Sequence, residues 1–149
     1  MKFRFESENV PEWDIVLRAN ITQVEADKFF EFISEYEQSV LQITDRLNGR
    51  HVRIYMHDIV AIQVQKNNLQ IETSTDTYEI RSTLASFMAK LDKYFVQVSR
   101  SSAIQLRLLK EVKIVWGNAV AVLAGGKEVE ISRRYLSSLK AQLEELRYD

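Results

Sequence analysis

Two short runs carry most of the chemistry in this sequence, Ser99-Arg100-Ser101-Ser102 and Ser132-Arg133-Arg134. Each places small hydroxyls beside a guanidinium at the end of an apolar, strand-like stretch, Tyr94 to Val98 in one case and Val129 to Ile131 in the other. Hydroxyls and a guanidinium fork are suited to holding phosphate oxygens, and the fork can also read a base edge. A third polar turn, Lys66-Asn67-Asn68, adds an ammonium and two amides between two further apolar runs. Arg133 and Arg134 fall in the first turn of an expected helix, where the macrodipole disfavours cations by about 0.3 to 1 kcal/mol each. A bound anion reverses that penalty, because free amides, a hydroxyl and guanidinium groups then converge on it. Ser132 suits the N-cap in either case. Each site also has an ordinary structural reading. Asn67 and Asn68 tolerate left-handed turn geometry, and Arg100 can pair with a surface carboxylate.

Other chemistries find little support. With no cysteine there is no disulfide, no thiol nucleophile and no cysteine zinc site, and a reducing cytoplasm is the natural setting. The two histidines are His51 and His57. His57 and Asp58 are neighbours, and neighbours on a strand face opposite ways, so they make no acid/base pair. No His/Asp/Glu spacing implies a metal site, and Ser99, Ser101 and Ser102 lack a nearby histidine or a nucleophile elbow. None of the four glycines, at 49, 117, 125 and 126, belongs to a phosphate-cradling loop. The expectation is a non-enzyme without cofactor or metal. The first residues, Met1-Lys2-Phe3-Arg4-Phe5-Glu6, lack the apolar core of a signal peptide, and nowhere do about 18 apolar residues run together, so a cytoplasmic protein is expected.

The elements that must position these residues are mainly β. Strand-like runs at Lys2–Glu6 and Ile15–Leu17 flank Pro11, and Thr22-Gln23-Val24-Glu25 forms a capping box. Phe29, Phe32, Ile33, Tyr36 and Val40 then follow at helical spacing, predicting a helix from about Thr22 to Gln38. Beyond it, Ile43–Leu47 and Val52–Met56 flank Asn48-Gly49, a strong hairpin signal. Ile59–Val64, Leu69–Thr73 and Tyr78–Ile80 read as strands, and Leu84, Phe87, Met88 and Leu91 switch to helical period. Strands resume at Tyr94–Val98, Ile104–Leu106, Val112–Trp116, Ala119–Leu123 and Val129–Ile131. A closing helix from Ser132 buries Tyr135, Leu136, Leu139, Leu143 and Leu146. No internal repeat stands out.

Net charge is only -1, but it is unevenly distributed. Residues 1–45 hold four Lys/Arg against ten Asp/Glu, a net of -6, and residues 46–149 hold sixteen against eleven, a net of +5. This predicts an acidic lead-in module over 1–45, with two short strands and an amphipathic helix, and a basic body over 46–149 that is drawn to polyanions.

From His51 to Leu143 the pattern resembles the LytTR DNA-binding domain of bacterial transcription regulators. The resemblance rests on the helix Leu84 to Leu91, the strand entering Ser99-Arg100-Ser101, the following hairpin and the helix start at Ser132-Arg133-Arg134-Tyr135. It implies an α+β, mainly β fold of small antiparallel sheets that contact successive major grooves with loops and strand ends. The implied DNA-binding residues are Lys66, Asn67, Asn68, Ser99, Arg100, Ser101, Arg133 and Arg134. Of these, Asn68 falls at a base-facing position and Arg133 matches the base-reading arginine. Serine 99 stands where histidine is more usual. Gln105 replaces an asparagine of the family's Val-Asn pair, leaving that residue's role open between structure and DNA. The short lead-in has no room for a phospho-accepting receiver domain, so the arrangement is similar to stand-alone regulators of this type. The resemblance further implies double-stranded DNA as partner, at least a homodimer on DNA, and a small membrane-protein antagonist, with the acidic helix as the surface for such a partner or for self-association. The alternative class is a protein-interaction module that keeps the scaffold without binding DNA.

Overall fold

The computed structural model describes residues 20–148, and the strand-like runs at Lys2–Glu6 and Ile15–Leu17 lie outside them. The chain divides into two units, Met1–Gln38 and Ser39–Asp149. In the first unit the capping box forms as its residue types dictate. Glu25 Oε2 accepts from the Thr22 backbone N–H at 2.8 Å, and Thr22 Oγ1 accepts from the Glu25 N–H at 3.3 Å. Those reciprocal bonds satisfy amides at the start of helix α1 (Gln23–Gln38). Along α1, Val24, Phe29, Phe30 and Phe32 are all exposed.

The second unit opens with a hairpin, β1 (Val40–Thr44) and β2 (His51–Tyr55). It continues through β3 (Ile59–Gln65), β4 (Asn68–Thr73), β5 (Thr77–Ile80) and the short helix α2 (Leu84–Met88). Then come β6 (Phe95–Ser99), β7 (Ser102–Gln105), β8 (Leu109–Val115), β9 (Asn118–Leu123), β10 (Glu128–Ile131) and helix α3 (Arg133–Tyr148). The strands form three antiparallel sheets: β1-β2, a central β5-β4-β3-β7-β6, and β10-β9-β8. This is the expected α+β, mainly β architecture of small antiparallel sheets.

The central sheet is apolar on both faces, which explains why its strands are short continuous runs of apolar residues. Ile62, Leu69, Ile71, Phe95 and Ala103 pack with Ile43 and Ile54 of the first hairpin and with Leu84 and Phe87 of α2. On the other face Ala61, Val96, Val98 and Ile104 pack with Ala119, Ala121, Leu123, Val129 and Ile131 of the three-stranded sheet and with Leu139 of α3. A register shift between Ile59 and Ala61 turns Val60 and Ala61 to the same core, a bulge that breaks strict alternation.

The first hairpin differs from the expected one around Asn48-Gly49, with its strands ending at Thr44 and restarting at His51. The cause is Asp45, which is buried and whose Oδ1 accepts from the N–H groups of Leu47 and Glu79 at 3.1 and 3.2 Å. A carboxylate bound in that way turns the chain out of the ladder three residues before the asparagine. Because β1 pairs with β2 along its length, residues 40–44 belong with the β-rich unit, N-terminal to the expected boundary at residue 46.

The second unit also contains a repeat that the sequence does not announce. Residues 40–88 run hairpin, 3-10 turn, hairpin, strand, helix, and residues 95–148 run the same course. The 3-10 turns Met56–Asp58 and Leu106–Leu108, the strands starting at Ile59 and Leu109, and those starting at Asn68 and Asn118 are all displaced by 50 residues. Both second hairpins carry a register shift one residue in, and both have a non-glycine at positive φ in the turn, Lys66 (56°) and Trp116 (52°). Gln105, fully buried, stitches the halves together, its Nε2 donating to the carbonyls of His57 at 3.0 Å and Ile59 at 2.6 Å. The role left open for this position is therefore a structural one.

Candidate nucleic-acid interface

Strand register brings the three predicted loops to one end of the central sheet. Gln65 pairs with Asn68 across the β3–β4 turn, Gln63 with Ser102, and Ser99 with Ser102 across the β6–β7 turn. The Val64 N–H donates to the Ser101 carbonyl at 2.7 Å, which fastens the first loop to the second. The Ser132 N–H donates to the Val98 carbonyl at 2.9 Å, which fastens the start of α3 to the second loop. Three segments separated by more than thirty residues each are thus held together by main-chain bonds.

Within the second loop the Ser99 hydroxyl accepts from the Ser101 N–H at 3.2 Å, and the two hydroxyls lie 3.4 Å apart. Arg100 stands between them, exposed. Lys66, Asn67, Arg133 and Arg134 are exposed as well, and among the described residues none of Lys66, Arg100, Arg133 and Arg134 takes part in an ion pair. Some cations elsewhere are engaged: Arg107 with Asp92 at 3.2 Å while stacked on Tyr94, and Lys127 with Glu72 at 2.7 Å. Lys113 is bound to Glu128, whose carboxylate holds the ammonium pKa above its ordinary value.

Asn68 is placed differently from its neighbours. It is half-buried, its Oδ1 accepts from Arg46 Nη1 at 3.1 Å and its Nδ2 donates to Glu79 Oε1 at 2.7 Å. Its amide therefore positions Arg46 at the loop end. Arg81 stands there too, since Ile80 pairs with Leu69 and the next residue falls beside Asn68. Between β1, β5 and α2 an open cleft of about 440 Å³ carries Arg46, Arg81 and Lys90 above Ile43, Ile80 and Phe87. Sequence reasoning passed over Arg46 and Arg81 because each is a lone arginine, and only strand pairing shows them at this end.

The far end of the central sheet has the opposite character. Asp58 precedes β3, Asp76 sits in the β4–β5 turn and Asp92 precedes β6. There burial first, and then the charge of Asp76, push the Tyr78 phenol pKa up. The far end thus gathers Asp58, Asp76 and Asp92, whereas the carboxylates at the loop end, Asp45 and Glu79, are engaged by the Leu47 and Glu79 N–H groups and by Asn68. Among the described residues no group of three or more His, Cys, Asp or Glu is placed to hold a metal ion, and no helix is long and apolar enough to cross a membrane.

A mainly antiparallel β unit of three small sheets, with basic loops gathered at one end of the central one, defines the class of fold. The family model described as the LytTr DNA-binding domain matches residues 49–144, and the chain belongs to that family. The sensory transduction protein LytR of Streptococcus agalactiae serotype V (strain ATCC BAA-611 / 2603 V/R) is 33% identical over 108 residues, covering 70% of this chain and 44% of that protein. The protein of the same name from Streptococcus mutans serotype c (strain ATCC 700610 / UA159) is 29% identical over 104 residues, covering 68% of this chain and 42% of its own length. The chain thus spans less than half the length of these relatives. Among solved structures, a LytTr DNA-binding domain of a Bacillus cereus protein described as a methyl-accepting/DNA response regulator shares the fold, with a TM-score of 0.63 at 17% identity, over 70% of this chain and 96% of that one.

Proposed function

We propose that this protein is a sequence-specific DNA-binding transcriptional regulator that reads major-groove repeats with loops and strand ends. One observation carries the reading: main-chain bonds gather Lys66, Arg100, Arg133 and Arg134 at one end of the sheet, with none of them in an ion pair among the described residues. Arg133 and Arg134 enter the groove, where an arginine fork can bond guanine O6 and N7. Arg100, framed by Ser99 and Ser101, clamps a phosphate, and Lys66 and Asn67 reach the next groove. Asn68 serves by holding Arg46 towards the backbone. Two copies act side by side on repeated sites, because one set of short loops is a small contact area. The exposed apolar side chains of α1 suit it to contact a neighbouring copy or a membrane-protein antagonist.

Salt titration on a duplex obtained by binding selection tests the reading. Each neutralised phosphate adds about -0.9 to the slope of log affinity against log salt. With Arg100, Arg46 and Arg81 on phosphates, a slope of about -2.7 or steeper per copy is expected. Absence of any selected sequence, together with a flat salt response, would leave a protein-interaction module as the reading.

A further inference from the structure

The repeat places Trp116 where the first half has Lys66, and the residue is set out in water to an unusual degree. Its side chain is 97% exposed, and two residues back, on strand β8, Ile114 is 66% exposed. A tryptophan buries a large apolar area when it packs, so full exposure forgoes that stabilisation. Its backbone lies in the left-handed region at φ 52°, followed by Gly117 at 80°. This is the twist a two-residue hairpin turn favours, but glycine or asparagine usually fills its first position, and a bulky side chain there costs on the order of 1 kcal/mol. At 97% exposure the indole recovers neither cost by packing within the described residues.

The register states where this indole stands. Val115 pairs with Asn118 across the turn, and Ala119 pairs with Ile131, the residue before Ser132. The tip of the β8–β9 hairpin therefore lies at the same end of the three-stranded sheet as the start of α3, the helix that opens with Arg133 and Arg134. An apolar tip at the same end of the sheet as arginines fits a duplex, whose deoxyribose faces and thymine methyls are apolar surface between phosphates. We infer that Trp116, supported by Ile114, is a fourth DNA contact, packing on the sugar or thymine-methyl surface flanking the site that Arg133 reads. The inference rests on the DNA-binding reading and extends it to a residue outside the three basic loops.

The test uses the full chain with Trp13→Phe, which leaves Trp116 as the sole indole of the two in the sequence. Duplex binding is followed by anisotropy of the labelled selected DNA, and Trp116 by acrylamide quenching of its emission. Saturating duplex should lower the quenching constant about threefold or more, as a fully exposed indole becomes covered. Trp116→Asn, which keeps a residue tolerant of positive φ, should weaken specific binding about tenfold, the loss expected from one uncovered aromatic contact. Trp116→Phe should recover part of it. Bound duplex with unchanged quenching overturns the inference whatever the affinity of the variants, and so does wild-type affinity in Trp116→Asn. Absence of duplex binding in the anisotropy arm is a separate result that sinks the DNA-binding reading, and this contact with it.

Discussion

An arginine serves a nucleic acid when no carboxylate of its own protein has claimed it, and by that criterion Arg100 and Arg133 differ from Arg107, which is paired with Asp92 and stacked on Tyr94. The two differ from each other in setting. Arg133 is the first residue of helix α3, and Arg100 sits in a hydroxyl-lined turn. Arg133→Ala should flatten preference at one base position, a discrimination of about 1 to 3 kcal/mol. Arg100→Ala should weaken all sequences more evenly, and affinities over a panel of single-base variants check both. Gln105 belongs to the interior, so Gln105→Leu should cost stability by stranding buried carbonyls, about 1 to 3 kcal/mol in urea unfolding. Base preference in the folded protein should not change, and altered preference would place Gln105 in the interface. The Ser-Arg clusters were legible because their residue types are adjacent in the chain. Arg46 and Arg81 were not, since they are 35 positions apart and meet only through the pairing of β4 with β5 and the bond from Arg46 to Asn68.

Elements whose signals are local came through the sequence well. Thr22-x-x-Glu25 fixed the start of α1, and the apolar spacing from Tyr135 to Leu146 gave α3, with Leu139 fully buried. Boundaries set by distant groups did not, as in the first hairpin, where the Asp45 carboxylate takes the N–H of Glu79, a residue on β5. Trp116 read as the last residue of a strand, because the left-handed turn it occupies is ordinarily written with asparagine or glycine. The strand β1 decides where the chain can be cut. A fragment of residues 39–149 keeps β1 paired and Ile43 in the core, and it should bind a selected duplex with nearly the full affinity of a single copy. A fragment of residues 46–149 lacks that strand, uncovers Ile54 and should melt at a clearly lower temperature. Equal melting of the two fragments would show that the hairpin contributes nothing to the core.

At the scale of the whole molecule, the 50-residue repeat escaped the sequence because the halves share an order of elements and an apolar rhythm while their loop side chains diverge. Of the turn residues, Asn68 and Asn118 agree, whereas Lys66 faces Trp116 and Asn67 faces Gly117. Doubling the plan doubles the loops at one end, and on the proposed reading those loops make a one-sided face for DNA. Two copies on repeats should therefore cooperate when the centres lie near a multiple of about 10.5 base pairs. Inserting about five base pairs should abolish cooperativity in a gel-shift titration, and about ten should partly restore it. Identical affinity at all spacings would refute side-by-side assembly. The central claim is that one end of the sheet is the DNA face, and amide chemical-shift mapping of the isotope-labelled protein on a selected duplex measures it directly. Residues 66–68, 99–101 and 132–134 should shift while 74–76 and 124–126 at the far end stay in place. Shifts confined to the far end, or to α1, would contradict it.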